Sequence, residues 1–264
     1  MTAIHATAII SPHAQIHPSV EIGPHVIIDE HVRIGARTKI FANAYITGHT
    51  TIGQENEIHI GTVIGHDPQD FAFDKTIRSY VEIGSNNIIR EYCTIHRGTK
   101  PETATTIGNN NFLMVGTHAA HNVTIGNNVI TANNVLFGGY VAVGDNAFVS
   151  GGVIVHQFVT IGRFAMLSGN GRFSQDIPSF LVALERNSVE GINLVGLRRA
   201  GFSPGTIREI KNAYKIYYLS GLLKNKAIEK LEAEGFVSPE AKEFINFIKT
   251  AKRPLVTHIS RGKA

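Results

Sequence analysis

The chain has 264 residues, 43% of them hydrophobic and 17% charged, the balance of a globular protein and not of a disordered one. Its one cysteine, Cys93, excludes a disulfide framework and any cysteine metal cluster, and suits a reducing compartment. The net charge of +4 fits either a slightly basic cytoplasmic protein or one drawn to an acidic or phosphorylated partner. The basic residues are scattered and no aromatic stacking module accompanies them, which argues against nucleic acid.

The opening stretch, MTAIHATAII, has neither a basic n-region nor a long apolar h-region, so no signal peptide is expected. No run is long and apolar enough to predict an integral membrane span. From Ile4 to Ile64 every sixth residue is isoleucine. The residue four places after each is mostly small or β-branched, as at Ala14, Val20, Val26, Val32, Thr38, Ala44, Thr50 and Thr62. Glycine often follows the isoleucine directly, as at Gly23, Gly35, Gly53 and Gly65. The period restarts at Ile83, Ile89 and Ile95, then runs from Ile107 through Ala119, Phe137 and Val155 to Leu167.

A period of six is the hexapeptide repeat of a parallel β-helix. β-branched side chains suit its short strands. Each strand should turn one apolar side chain inward before a corner relaxed by glycine. Three hexads make one triangular coil of about eighteen residues, and coils stack at roughly 4.8 Å through backbone hydrogen bonds. One coil cannot bury its own interior, so stability must come from the stack.

Two segments interrupt the repeat. Residues 66–80, HDPQDFAFDKTIRSY, hold Pro68 and three aromatics and form a candidate functional loop. Residues 98–105, GTKPETAT, are a second excursion, turning at Lys100-Pro101. Coils then continue to about residue 185, and the period is lost from about 187. Ser203-Pro204 predicts an N-cap with proline at the first helical position. The helix after it carries Ile207, Ile210, Ala213, Tyr214 and Tyr217 at helical spacing and stops near Gly221. KAIEKLEAEG predicts a second helix ending at Gly235, and Ser238-Pro239-Glu240 starts a third with Phe244, Ile245 and Ile248 on one face. The residues after Arg253-Pro254 are expected to fray. The expected organisation is a mainly β chain: a β-helix over residues 1–186, then a C-terminal α-helical domain over 187–264.

Thirteen histidines are a high count. His5, His13, His17, His25, His31 and His49 fall at hexad corners, where solvated side chains are expected. GTHAAHNVTIG differs. His118 and His121 flank the inward Ala119, so His121 should point outward, where it could serve as a base. A step of one coil from His121 reaches Gly139, beside Gly138, and a second step reaches Gln157, beside His156. One face would then stack His121, Gly139 and Gln157, with a bare N–H able to face a developing oxyanion. Equally, the glycines could merely ease corners.

HRGT (96–99), the THAAHN stretch (117–122), VHQF (155–158), QDIP (175–178), GINLVGLRRAGFS (191–203) and NAYKIYY (212–218) occur in the order seen in the acyl-ACP–UDP-N-acetylglucosamine O-acyltransferase family. The chain resembles that family over nearly its whole length. The resemblance implies a left-handed β-helix, a cytoplasmic homotrimer, and transfer of a 3-hydroxyacyl group from acyl carrier protein to the sugar 3-hydroxyl of UDP-N-acetylglucosamine. That is the first step of lipid A synthesis. His121 matches the family's general base and the Gly139 N–H its oxyanion donor. Gln69 and Asp70 match the sugar-binding loop. His118, His156 and Gln157 match the substrate groove, and Asn193 and Arg199 match nucleotide or donor contacts. Gly169 matches the position limiting acyl length. No metal or cofactor is implied, since the thioester is already activated, and the site is expected between subunits.

The chain departs from the family pattern at Asn122, where an acidic residue usually orients the base. It departs also at Ala72, Phe73, Tyr140, Val195 and Ala200. A related transfer to another nucleotide sugar, such as a 3-amino sugar, stays open. A zinc site on His96, His118 and His121 would need a different spacing, and a structural β-helix would leave loop 66–80 without a role.

Overall fold

The computed structural model describes residues 4–258. Strands of two to five residues form three sheets of nine, eight and eleven strands, counted over the described residues. Within each sheet, paired strands are mostly three elements apart in the chain, as a triangular coil requires. The register carries Ile10 onto Ile28, Ile28 onto Ile46 and Ile46 onto Ile64. The architecture is the left-handed parallel β-helix followed by helices.

From Val20 onward a hexad typically buries two side chains, and not one as expected. Val26 lies inside with Ile28, Ala44 with Ile46, and Val135 with Phe137. The small or β-branched partner is thus the second core position. Where it is polar it forms an internal ladder. The buried Asn56, Asn87 and Asn111 stand on successive coils. Asn87 Nδ2 donates to Asn56 Oδ1 at 3.0 Å and to the Gly108 carbonyl at 2.9 Å, while Asn87 Oδ1 accepts the Asn111 N–H at 2.9 Å. Asn111 Oδ1 passes the pattern on to the Val129 N–H at 2.7 Å. Every amide on this ladder is satisfied by the coil above or below, which is the condition for burying it at all.

Only some corners are the glycine turns expected, at Gly61, Gly116 and Gly152. Left-handed φ falls three places after the isoleucine position, on non-glycine residues such as His25 (57°), Asn43 (60°) and Asn122 (60°). Asparagine recurs there, at 86, 110, 128, 134, 146 and 170, because its short polar side chain tolerates that region better than most. The glycine that follows the isoleucine serves close approach instead. A Cβ on Gly35 would come within 2.6 Å of the Gly53 carbonyl carbon of the next coil. His49 also departs from expectation: it lies in the strand His49–Ile52, its ring stacked on His31 at 4.3 Å.

The sheet does not stop at residue 186. Leu181–Leu184 and Ser188–Ile192 form an antiparallel hairpin on the last coil. A six-residue helix not foreseen from sequence, α1 (Leu194–Arg199), follows. Then come α2 (Pro204–Tyr214), α3 (Lys224–Ala233) and α4 (Pro239–Thr250), with a π-helical turn at Lys215–Leu219. Ser203 and Ser238 cap α2 and α4 as expected, accepting from Thr206 N and Ala241 N. Arg163, set among Phe164, Phe180 and Phe202, reaches Glu243 of α4 at 2.8 Å and so ties the helices to the last coils.

The expectation of a frayed end fails for residues 255–258; residues 259–264 lie outside those described. Thr257–His258 pairs with Ser188–Val189. The backbone of buried Asp176, in QDIP, bonds Pro254 O and Val256 N, and the Tyr214 hydroxyl meets His258 Nδ1 at 2.7 Å. Asn87→Ala, which leaves the buried Gly108 carbonyl and Asn111 N–H without their partners, should lower stability by about 1–3 kcal/mol, read as a shifted urea midpoint at unchanged slope.

Candidate active site

The strand His118–Ala119 buries Ala119 completely and turns a corner three residues later at Asn122. The register set by His118 on Leu136 and Ala119 on Phe137 continues around that corner. Tyr140 N donates to the His121 carbonyl at 3.1 Å, and Phe158 N to the Gly139 carbonyl at 2.9 Å. His121, Gly139 and Gln157 therefore stack on successive coils, as the one-coil step expects. A Cβ on Gly139 would come within 2.3 Å of His121 Cε1, so glycine is what lets the imidazole sit this close to that backbone. Among the described residues, the Gly139 N–H has no backbone acceptor.

Asn122 Oδ1 lies 3.1 Å from His121 Nδ1. The same oxygen accepts from the Thr99 N–H and from the Thr99 hydroxyl, each at 3.0 Å. Thr99 belongs to the excursion at 98–105, so that loop supports the His121 corner. The Tyr140 hydroxyl lies 3.1 Å from Thr99 Oγ1, and the Tyr140 ring meets His121 edge-on and stacks on Phe158. Neither Thr99 nor its loop was picked out as part of the site from sequence; the Thr99–Asn122 separation of 23 residues falls outside the one-coil step.

His118, on the same coil as His121, meets His96 of the coil below edge-on at 5.3 Å. His96 Nδ1 donates to the Asp67 carbonyl at 2.6 Å, and His118 Nδ1 faces Thr94 Oγ1 at 2.7 Å. Burial, helped by neighbouring His96, pushes the His118 imidazole down to about 4, and burial lowers His96 as well. Both rings are neutral donors or acceptors near pH 7. Arg97, buried, clamps loop 66–80: it binds Asp67 Oδ1 at 2.9 Å and the Ile77 carbonyl at 2.7 Å, and lies 4.8 Å from the Phe73 ring centre. Phe73 is thus an anchor of the loop. Arg97, missed as a site-building residue, stands in the HRGT motif.

The other expected site residues are not gathered at His121 within one chain. Gln69 and Asp70 are exposed at the loop tip, where Asp70 Oδ1 accepts the Ala72 N–H at 2.9 Å. His156 and Gln157 are exposed on the coil beyond Gly139. Gly169 lies on a different corner, above Gly151, with room for a Cβ at 3.4 Å from the Gly151 carbonyl. Asn193 is occupied structurally, capping α1 through Gly196 N and donating to the Phe164 carbonyl, each at 3.0 Å. Arg199 is exposed at the end of α1. A surface hollow of about 550 Å³ lies among the early coils, lined by His13, His31, His49 and Arg78, and does not include His121.

The depressed His118 makes stability acid-sensitive. The folded ring stays neutral down to about 4 whereas an unfolded one titrates near 6.5, so between those values the unfolded chain binds the extra proton. Stability from this group is complete above the unfolded value and is lost as pH falls towards the folded one. His118→Gln should flatten the acid limb of a pH series of unfolding midpoints and leave the alkaline side nearly unchanged.

Residues 104–139 match the bacterial transferase hexapeptide family and residues 176–256 match domain 2 of the UDP N-acetylglucosamine O-acyltransferases. The acyl-[acyl-carrier-protein]–UDP-N-acetylglucosamine O-acyltransferase of Thermodesulfovibrio yellowstonii is 44% identical over 255 residues, 96% of this chain and 98% of that protein. The protein of the same name from Sulfurihydrogenibium is 53% identical over 78% of this chain and 77% of its own length. Among solved structures, the UDP-N-acetylglucosamine acyltransferase of Bacteroides fragilis superposes with a TM-score of 0.91 at 44% identity, over 96% of this chain and 99% of that one. The Acinetobacter baumannii structure gives 0.92 at 40% identity, again over 96% and 99%. Fold and similarity along almost the entire chain agree: this protein belongs to the acyl-[acyl-carrier-protein]–UDP-N-acetylglucosamine O-acyltransferase family.

Proposed function

We propose that the protein transfers a 3-hydroxyacyl group from acyl carrier protein to the 3-hydroxyl of UDP-N-acetylglucosamine, the first step of lipid A biosynthesis, with His121 as general base. The observation that carries the role of His121 is its setting. Nδ1 faces the Asn122 amide oxygen at 3.1 Å, which leaves Nε2 as the basic lone pair. Nε2 removes the proton as the sugar oxygen attacks the thioester carbonyl. The Gly139 N–H stabilises the resulting oxyanion. Collapse breaks the carbon–sulfur bond, and the departing thiolate takes the proton back from the imidazolium. The thioester supplies the driving force, so no cofactor is needed.

Asp70, Gln69, His118, His156 and Gln157 hold the sugar and the acyl chain, Asn193 and Arg199 contact nucleotide or donor, and Gly169 leaves room for the acyl tail. Their dispersal over one chain favours a site completed by neighbouring copies in a homotrimer. So does an outward apolar column on the eleven-stranded sheet, with Ile88, Phe112, Ile130, Phe148 and Met166 in register. Such a column is costly to leave in water. Among the described residues no helix is long and apolar enough to cross a membrane, and we place the enzyme in the cytoplasm, where acyl carrier protein is found.

Incubating the protein with 3-hydroxyacyl carrier protein and UDP-N-acetylglucosamine should yield the O-acylated nucleotide sugar by mass spectrometry. His121→Ala should cut the rate by on the order of 10²–10⁴. Product formed only with a 3-amino sugar nucleotide would redirect the acceptor assignment; no product with any nucleotide sugar would refute the reading. Sedimentation should show a species of three 28.7 kDa chains.

A further inference from the structure

We infer that Thr99 is a positioning residue that selects the tautomer of His121 by fixing which end of the Asn122 amide faces the imidazole, with Tyr140 completing the relay. This rests on the reading of His121 as base and deepens it. An asparagine side chain has two unlike ends, an accepting oxygen and a donating NH₂. A backbone N–H can only donate. The Thr99 N–H lies 3.0 Å from the Asn122 terminus, so that terminus is the oxygen. The same oxygen faces His121 Nδ1, so Nδ1 carries the proton and Nε2 is bare. Were the amide turned over, its NH₂ would face Nδ1, the proton would move to Nε2, and the base would have no lone pair to offer.

The hydroxyls agree in direction. Tyr140 donates to Thr99 Oγ1, Thr99 donates to Asn122 Oδ1, and His121 Nδ1 donates to that oxygen from the other side. The Asn122 backbone is itself held, by φ of 60° and by its N–H bond to Thr105 Oγ1 at 2.8 Å. Only the amide rotation about its last bond is free, and Thr99 settles it. A carboxylate at position 122 would present two equivalent acceptors and need no such sorting. The requirement for Thr99 therefore follows from asparagine standing at this corner.

A double-mutant cycle tests this. Thr99→Pro, which removes the N–H, should lower kcat by about tenfold with little change in either KM, whereas Thr99→Ser, which keeps both N–H and hydroxyl, should not. In an Asn122→Asp background, Thr99→Pro should cost no more than about twofold. An equal loss in both backgrounds would make Thr99 merely structural and overturn the inference. A second readout is independent of activity. Solid-state NMR of [¹⁵N]histidine-labelled protein, as a difference against His121→Ala, should show Nδ1 protonated and Nε2 bare, and a mixture of tautomers in Thr99→Pro. Protonated Nε2 in the wild type overturns the inference outright. The inferred tautomer in a protein that acylates no nucleotide sugar supports it and refutes the functional reading instead.

Discussion

Backbone hydrogen bonding between stacked coils is the constraint on which everything else rests. A coil has no interior of its own; its N–H and C=O groups are satisfied only if the next coil repeats its path one step on. That requirement explains the left-handed corners three places after each core residue, since the chain must turn at the same point in every layer. It explains the glycines that sit where one corner's backbone presses on the next. It also explains how asparagines can be buried in the prism: a column of amides spaced at the coil repeat satisfies itself, as Asn56, Asn87 and Asn111 do.

The same repeat constructs the site. His121 comes to rest on Gly139 because register is carried round the corner without a slip, and Gly139 leaves room for the ring. Breaks in the repeat then supply what the repeat cannot. The excursion at 98–105 delivers the Thr99 N–H to Asn122, and the loop at 66–80 is pinned by Arg97 and Phe73 while its tip stays exposed. Regular coils provide rigid placement, and an irregular segment provides a hydrogen-bond donor the repeat lacks. The acyl-acceptor reading gains from this division, because the residues assigned to substrate lie on separate corners and the free loop tip, as suits a site shared between copies.

The last coils are closed off by polar and aromatic contacts more than by the repeat. Arg163 joins three phenylalanines to Glu243, and Asp176 draws the returning chain onto the end of the sheet. An open edge at the end of a solenoid invites further pairing. The hairpin, the helices and the strand at Thr257–His258 cover it.

What the sequence by itself determined was whatever depends on spacing. The six-residue period specified the β-helix, a step of one coil placed Gly139 above His121, and serine–proline pairs marked the starts of α2 and α4. Each of these is a local rule or an exact repeat, legible without knowing what lies across the molecule. Tertiary structure alone decided the rest. The role of asparagine at the corners shows only in backbone angles. The partnership of Thr99 with Asn122 crosses an irregular loop, so no period predicts it. Arg97 reads as one more charged residue until loop 66–80 folds onto it, and residues 255–258 look like a tail until Asp176 offers them backbone partners. Contacts between breaks in a repeat carry no periodic signal, because nothing in the chain's spacing records which irregular segments will meet.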